Sequence, residues 1–110
     1  MTTKPWRQEI EIIQSYSKHK AFTHETTTSG VETINLGLSM EEVNKISFVV
    51  ELADAYVEFD GDASKTVGEE TMLIPQDEGY FDDAIYIQTK ITIMRAGSTN
   101  ARIRGIAWGR

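Results

Sequence analysis

The 110-residue chain contains no cysteine. That absence excludes a disulfide framework, a thiolate metal site and a cysteine nucleophile, so stability has to come from packing, strand pairing or assembly. Long apolar runs are missing too. Ile46 to Leu52 is interrupted by Ser47 and Glu51, far short of the roughly 20 residues a membrane span requires. The N-terminal MTTKPWRQEIEI has no apolar signal core, so a soluble chain made without a cleaved signal is expected, with no membrane partner. Proline is scarce at two residues, and hydrophobic and charged fractions of 40% and 25% exclude disordered, collagenous and low-complexity classes. A chain of this size buries about two-thirds of its unfolded surface, enough for one core.

Positive charge is in short supply: 11 Lys and Arg stand against 17 Asp and Glu, for a net charge of -6. Its distribution is uneven. Residues 1–20 carry +2, residues 21–90 carry -12, and residues 91–110 carry +4 from Arg95, Arg102, Arg104 and Arg110. An acidic middle between basic ends argues against direct nucleic-acid binding, which needs a basic face. The blander reading is a solvated acidic surface with terminal strands that pair against it.

What the sequence does contain is period-two alternation. Ile46, Phe48, Val50 and Leu52 alternate with Ser47, Val49 and Glu51, and Ala55, Val57 and Phe59 follow the same rhythm up to Gly61. These are two strands, or one long strand bent near Ala53 and Asp54. Further strands are expected at Glu9–Ile13, Lys20–Thr28, Val31–Leu36, Thr71–Ile74, Ala84–Gln88, Lys90–Ala96 and Ala101–Trp108. The polar turn Gly97–Asn100 between the last two predicts a β-hairpin. Ser39 and Glu42 are spaced as a capping box, predicting one short helical turn near 39–43. The fold class expected is all-β: an antiparallel β-sandwich, jelly-roll or immunoglobulin-like, in one domain over residues 8–110. Residues 1–7 read as an N-terminal arm, because Pro5 excludes a regular ladder there.

No motif for catalysis or phosphate binding occurs, so no catalytic residue, metal or cofactor is assigned and a non-enzymatic protein is expected. His24 and Glu25 are adjacent and point to opposite faces of a strand, which excludes a dyad; His24 reads as an exposed histidine. Glu58–Asp62 is the best cation candidate because hard cations want several oxygens around a tight glycine turn. A strand connection uses the same residues, and the turn reading is preferred. A weak calcium site would need the carboxylates of Asp77, Glu78, Asp82 and Asp83 to cluster with it. Among the aromatics, Phe48 and Phe59 belong to the core pattern. Trp6 lies in the arm between Pro5 and Arg7, where it is expected to dock on its own domain or on another subunit. Trp6, Arg7, Arg102 and Arg104 are the candidate partner-interface residues.

Three stretches carry a resemblance. AYVEFDGDAS at 55–64, MLIP at 72–75 and TKITIMRAGSTN at 89–100 resemble, in that order, small structural proteins of tailed-bacteriophage virions. Those show a strand ending in FDG or LDG, an MLIP-like strand, and a strand ending in an IRAG-x-TNG turn. The similarity spans roughly residues 46–108 and departs at Ala101, where the pattern has glycine. It implies a decoration (cement) protein on the outer capsid surface, made in the host cytoplasm. Its implied partners are the major capsid protein or other virion proteins, and it implies a homo-oligomer, with a trimer favoured. A neck or tail component, or a carbohydrate- or receptor-binding sandwich module, is the alternative.

Overall fold

Alternation turns into strands almost everywhere it occurs. The computed structural model describes residues 17–34, 36, 41–65 and 70–110. Eight strands run in chain order: β1 Lys18–Glu25, β2 Glu32–Ile34, β3 Val43–Glu51, β4 Ala55–Phe59, β5 Thr71–Ile74, β6 Gly79–Asp82, β7 Ile91–Arg95 and β8 Arg102–Gly109. No helix occurs among the described residues. The strands form two antiparallel four-stranded sheets, ordered β1-β8-β3-β6 and β2-β7-β4-β5.

The pairing is nested. The first strand pairs with the eighth, the second with the seventh, the third with the sixth and the fourth with the fifth. That is the jelly-roll arrangement of an eight-stranded double sheet, and it decides against the immunoglobulin-like alternative. Inward-facing residues of both sheets meet in one core, where Ile46 and Val50 of β3 and Ile103 of β8 oppose Ile91 and Ile93 of β7 and Val57 of β4, all fully buried. Burial of such side chains contributes about 1.5–3 kcal/mol each.

Two glycines shape β8. A Cβ on Gly105 would lie 2.2 Å from the Ser47 carbonyl oxygen and 2.7 Å from the Phe48 Cα. Such a group would point at the neighbouring strand instead of out of the pleat, so β8 approaches β3 more closely there than any side chain allows. Phe22 and Phe48 are the cross-strand partners of Gly105 on either side. Gly109 repeats the device at the irregular Val43–Lys45 register, where its Cβ would sit 1.8 Å from the Glu42 carbonyl oxygen.

Several expectations are corrected. Residues 90–96 and 101–108 do not form a hairpin: β7 belongs to one sheet and β8 to the other, so Ala96–Ala101 is a crossover. Alternation told which residues face the core, but two strands facing the same core from opposite sheets satisfy it equally well. The crossover is pinned by Ala96 N–H donating to the Asp54 carbonyl (3.1 Å) and by Thr26, whose N–H donates to the Ala101 carbonyl (2.8 Å) and whose hydroxyl accepts from Ala101 N–H (3.0 Å). Ala84–Gln88 is not a strand. The Asp82 carboxylate accepts the Ala84 N–H (2.9 Å) and turns the chain, leaving one bridge between Ile87 and Val43. The strand in that region lies earlier, at β6, where no strand was expected. The bend at Ala53–Asp54 separates two strands in different sheets. Glu41 and Glu42 lead into β3 without a helical turn, because their backbone pairs with Arg110: Glu41 N–H donates to its carbonyl at 2.6 Å and Glu42 accepts its N–H at 3.1 Å. Ser39, the arm at 1–7 and the strand expected at Glu9–Ile13 lie outside the described residues.

Candidate interaction face

The period-two rule assigns the outer face of the β1-β8-β3-β6 sheet. In β8 the core takes Ile103, Ala107 and the two glycines, so Arg102, Arg104, Ile106 and Trp108 all project outward. The register then builds rows across the sheet. His19, Trp108 and Lys45 form the first; Ala21, Ile106, Ser47 and Phe81 the second; Thr23, Arg104 and Val49 the third; Glu25, Arg102 and Glu51 the last. One end is aromatic and the other is ionic.

At the aromatic end the Lys45 ammonium lies 4.6 Å from the Trp108 ring centroid and 5.6 Å from that of Phe81, within cation–π range. Phe81 is 59% exposed, an unusual placement for a ring with no polar handle. At the ionic end one carboxylate holds two guanidinium groups. Glu51 Oε1 accepts from Arg102 Nε (3.1 Å) and Arg104 Nε (3.2 Å), and Oε2 accepts from Arg104 Nη2 (2.9 Å). The fork from Arg104 holds the Glu51 carboxyl below its ordinary value, with Arg102 adding to it. The structure thus brings Arg102 and Arg104 together on one face, while Trp6 and Arg7 lie outside the described residues.

The charge segregation of the sequence becomes spatial. Strands β1, β3 and β8 with Arg110 carry six basic residues against Glu25 and Glu51; the remaining described residues carry three basic against twelve acidic. On the outward face itself Lys45, Arg102 and Arg104 stand against Glu25 and Glu51, while Lys18 and Lys20 fall on the other side of β1, in register with Gly109 and Ala107. Sequence reasoning missed Lys45, Glu51, Phe81 and Trp108 as parts of it. Strand ARIRGIAW already placed Arg102, Arg104 and Trp108 on one side, but their neighbours on β3 and β6 depend on pairing between residues distant along the chain.

The acidic loops are occupied by the fold itself. Asp60 has a left-handed backbone (φ 59°), which aspartate tolerates. Its carboxylate accepts the N–H groups of Gln88 (2.9 Å), Thr89 (2.6 Å) and Lys90 (3.2 Å) and the Thr89 hydroxyl (2.9 Å). Burial alone would raise its pKa; those donors outweigh it and lower it. Asp62 pairs with the Lys90 ammonium at 2.8 Å. Asp60 therefore ties the end of β4 to the segment before β7, a long-range link that a local turn does not predict. No group of three or more His, Asp or Glu side chains is placed to hold a metal among the described residues. His24 corrects its expectation of exposure: it is half-buried and pairs across the sheets with Glu32 at 2.9 Å. No described helix is long and apolar enough to cross a membrane. Comparison of the sequence with family models, with curated proteins and with solved structures found no match.

Proposed function

We propose that the chain is a structural, non-enzymatic subunit that docks through the outer face of its β1-β8-β3-β6 sheet onto an acidic protein surface, as a decoration protein of a tailed-phage particle. The observation that carries the docking reading is the face itself. Trp, Phe and Arg are the residues that dominate protein interfaces, and here Trp108, Phe81 and Arg104 share one outward sheet face. The virion reading rests on the sequence resemblance. Jelly rolls serve in capsids, lectins and cupins alike, so the fold is compatible with it without selecting it. The carbohydrate alternative needs free aromatic faces for stacking, and Lys45 lies over both Trp108 and Phe81.

The test is co-sedimentation of the purified chain with capsids of the phage that encodes it, across a salt series. Saturable binding that weakens with salt and drops about tenfold or more in Trp108→Ala and Arg104→Glu is the expected result. Binding confined to neck or tail assemblies would relocate the subunit on the particle and overturn the decoration role. A chain that ignores every virion fraction would overturn the proposal.

A further inference from the structure

Three of the four sheet edges are short: β2 has three residues, and β5 and β6 have four each. The remaining edge, β1, has eight and pairs only with β8 among the described residues. An edge of that length offers a row of backbone N–H and C=O groups to any extended segment, and folds commonly shorten, guard or cover such a row.

The side chains of β1 carry a second signal. Lys18 and Lys20 stand on the same side of the strand as the buried Phe22, yet both are exposed. Neither pairs with a carboxylate among the described residues, in a chain where 17 Asp and Glu outnumber 11 Lys and Arg. Two such cations, at alternate positions on an edge strand, call for acidic groups at the same spacing across the ladder. Residues 1–16 precede the described chain, and there Glu9 and Glu11 alternate with Ile10 and Ile12.

We propose that residues 6–11 of the same chain add to the free edge of β1 as an antiparallel strand. A chain reversal at Gln14–Ser15, a two-residue connection of the length commonest in hairpins, sets Glu11 opposite Lys18 and Glu9 opposite Lys20. Each cation then gains a carboxylate directly across the ladder, whereas a slip of one residue would set isoleucines against the lysines. The short tether favours the chain's own segment over that of a second copy. The same register carries Ile10 to His19 and Trp6 to Thr23, on the outer face, at the ends of the rows that hold Trp108 and Arg104. The docking face becomes five strands wide. That widening rests on the docking reading above; the pairing itself does not.

The chain has no cysteine, so an introduced pair reports the register without interference. Directly opposed residues have Cβ atoms about 4.5–5.5 Å apart, which a disulfide spans with a small shift. Glu9→Cys with Lys20→Cys is expected to oxidise within one chain, while Gln8→Cys with Lys20→Cys, on opposite faces, stays reduced under the same conditions. Hydrogen exchange of the full chain by NMR tests the pairing without cysteine. The alternate β1 amides that point away from β8 are expected to be protected, and Glu9→Lys with Glu11→Lys to raise their exchange about tenfold. Adding Lys18→Glu and Lys20→Glu to that variant is expected to restore protection. Fast exchange of those amides in the parent would leave the lysines as guards of a bare edge and overturn the proposal. Disulfide-linked dimers would also overturn it, by handing the edge to a second copy. Capsid co-sedimentation separates the two readings: a parent that protects these amides but ignores capsids refutes the docking alone, and one that binds capsids with β1 unprotected refutes the added strand alone.

Discussion

Replacing Gly105 with alanine tests the close approach of β8 to β3. The added methyl would lie 2.2 Å from the Ser47 carbonyl oxygen, 2.6 Å from the Phe48 Cβ and 2.7 Å from the Phe48 Cα. Carbon atoms rest at about 3.5–4.0 Å, so the backbones must part by about an ångström or Gly105 must rotate its dihedrals and force the methyl in between Phe22 and Phe48. Neither route is easy, because two of the three contacts are with backbone and cannot swing aside. Overpacking of a formed core costs about 1–3 kcal/mol, and the upper end applies where central strands are displaced. A domain of this size loses roughly 4–5 °C in melting temperature per kcal/mol, so a fall of roughly 10–15 °C is expected. The assay is calorimetry alongside urea unfolding, with Gly97→Ala as the control, since a Cβ at Gly97 meets nothing within 4 Å. Gly105→Ala melting within about 2 °C of the parent, on the same scale, would refute the reasoning.

Glu32 should make the fold acid-sensitive. Burial works against its charge, but the Thr27 and Thr28 amides, the His24 ring and the Thr28 hydroxyl overcome that and lower its pKa from 4.5 to about 2. A folded-state pKa below the unfolded one gives stability that is complete above pH 4.5 and lost as pH falls toward 2. The ceiling is about 3 kcal/mol, and solvent screening brings the expectation to about 1–2 kcal/mol. Glu32→Gln should flatten that stretch of the stability–pH curve measured by urea unfolding, and an unchanged curve would count against the assignment. Asp60→Ala removes the acceptor of three backbone amides and one hydroxyl and puts alanine at φ 59°. A loss of about 2–3 kcal/mol is expected, with Asp60→Asn, which tolerates the same backbone, recovering a portion of it. Equal stabilities for the two variants would show that the carboxylate, and not the conformation, accounts for the whole effect.

Sheet faces were legible in the sequence to a greater degree than sheet membership. The inward set of β3, β4 and β8 follows from alternation because each strand must hide one face. Which sheet a strand joins depends on partners far along the chain, and the nested pairing of the first strand with the last leaves no local mark. The crossover at Ala96–Ala101 shows the ambiguity: a polar turn containing glycine suits a hairpin and a sheet-to-sheet connection equally. β6 was hidden for another reason. Gly79–Asp82 reads as an acidic loop, and it becomes a strand because it borders β3, where Tyr80 packs on Phe48 at 5.4 Å between centroids.

The candidate face inherits this division. That Arg102, Arg104 and Trp108 share a side is a consequence of spacing in one strand, so it was readable. That Lys45 rests over the rings of Trp108 and Phe81, and that Glu51 clamps both arginines, required β3 to lie between β8 and β6. Nested topology therefore does more than close the core. By bringing the basic C-terminal strand alongside β3, it sets Arg102 and Arg104 around the Glu51 carboxylate and Trp108 beside Lys45 on one outward face.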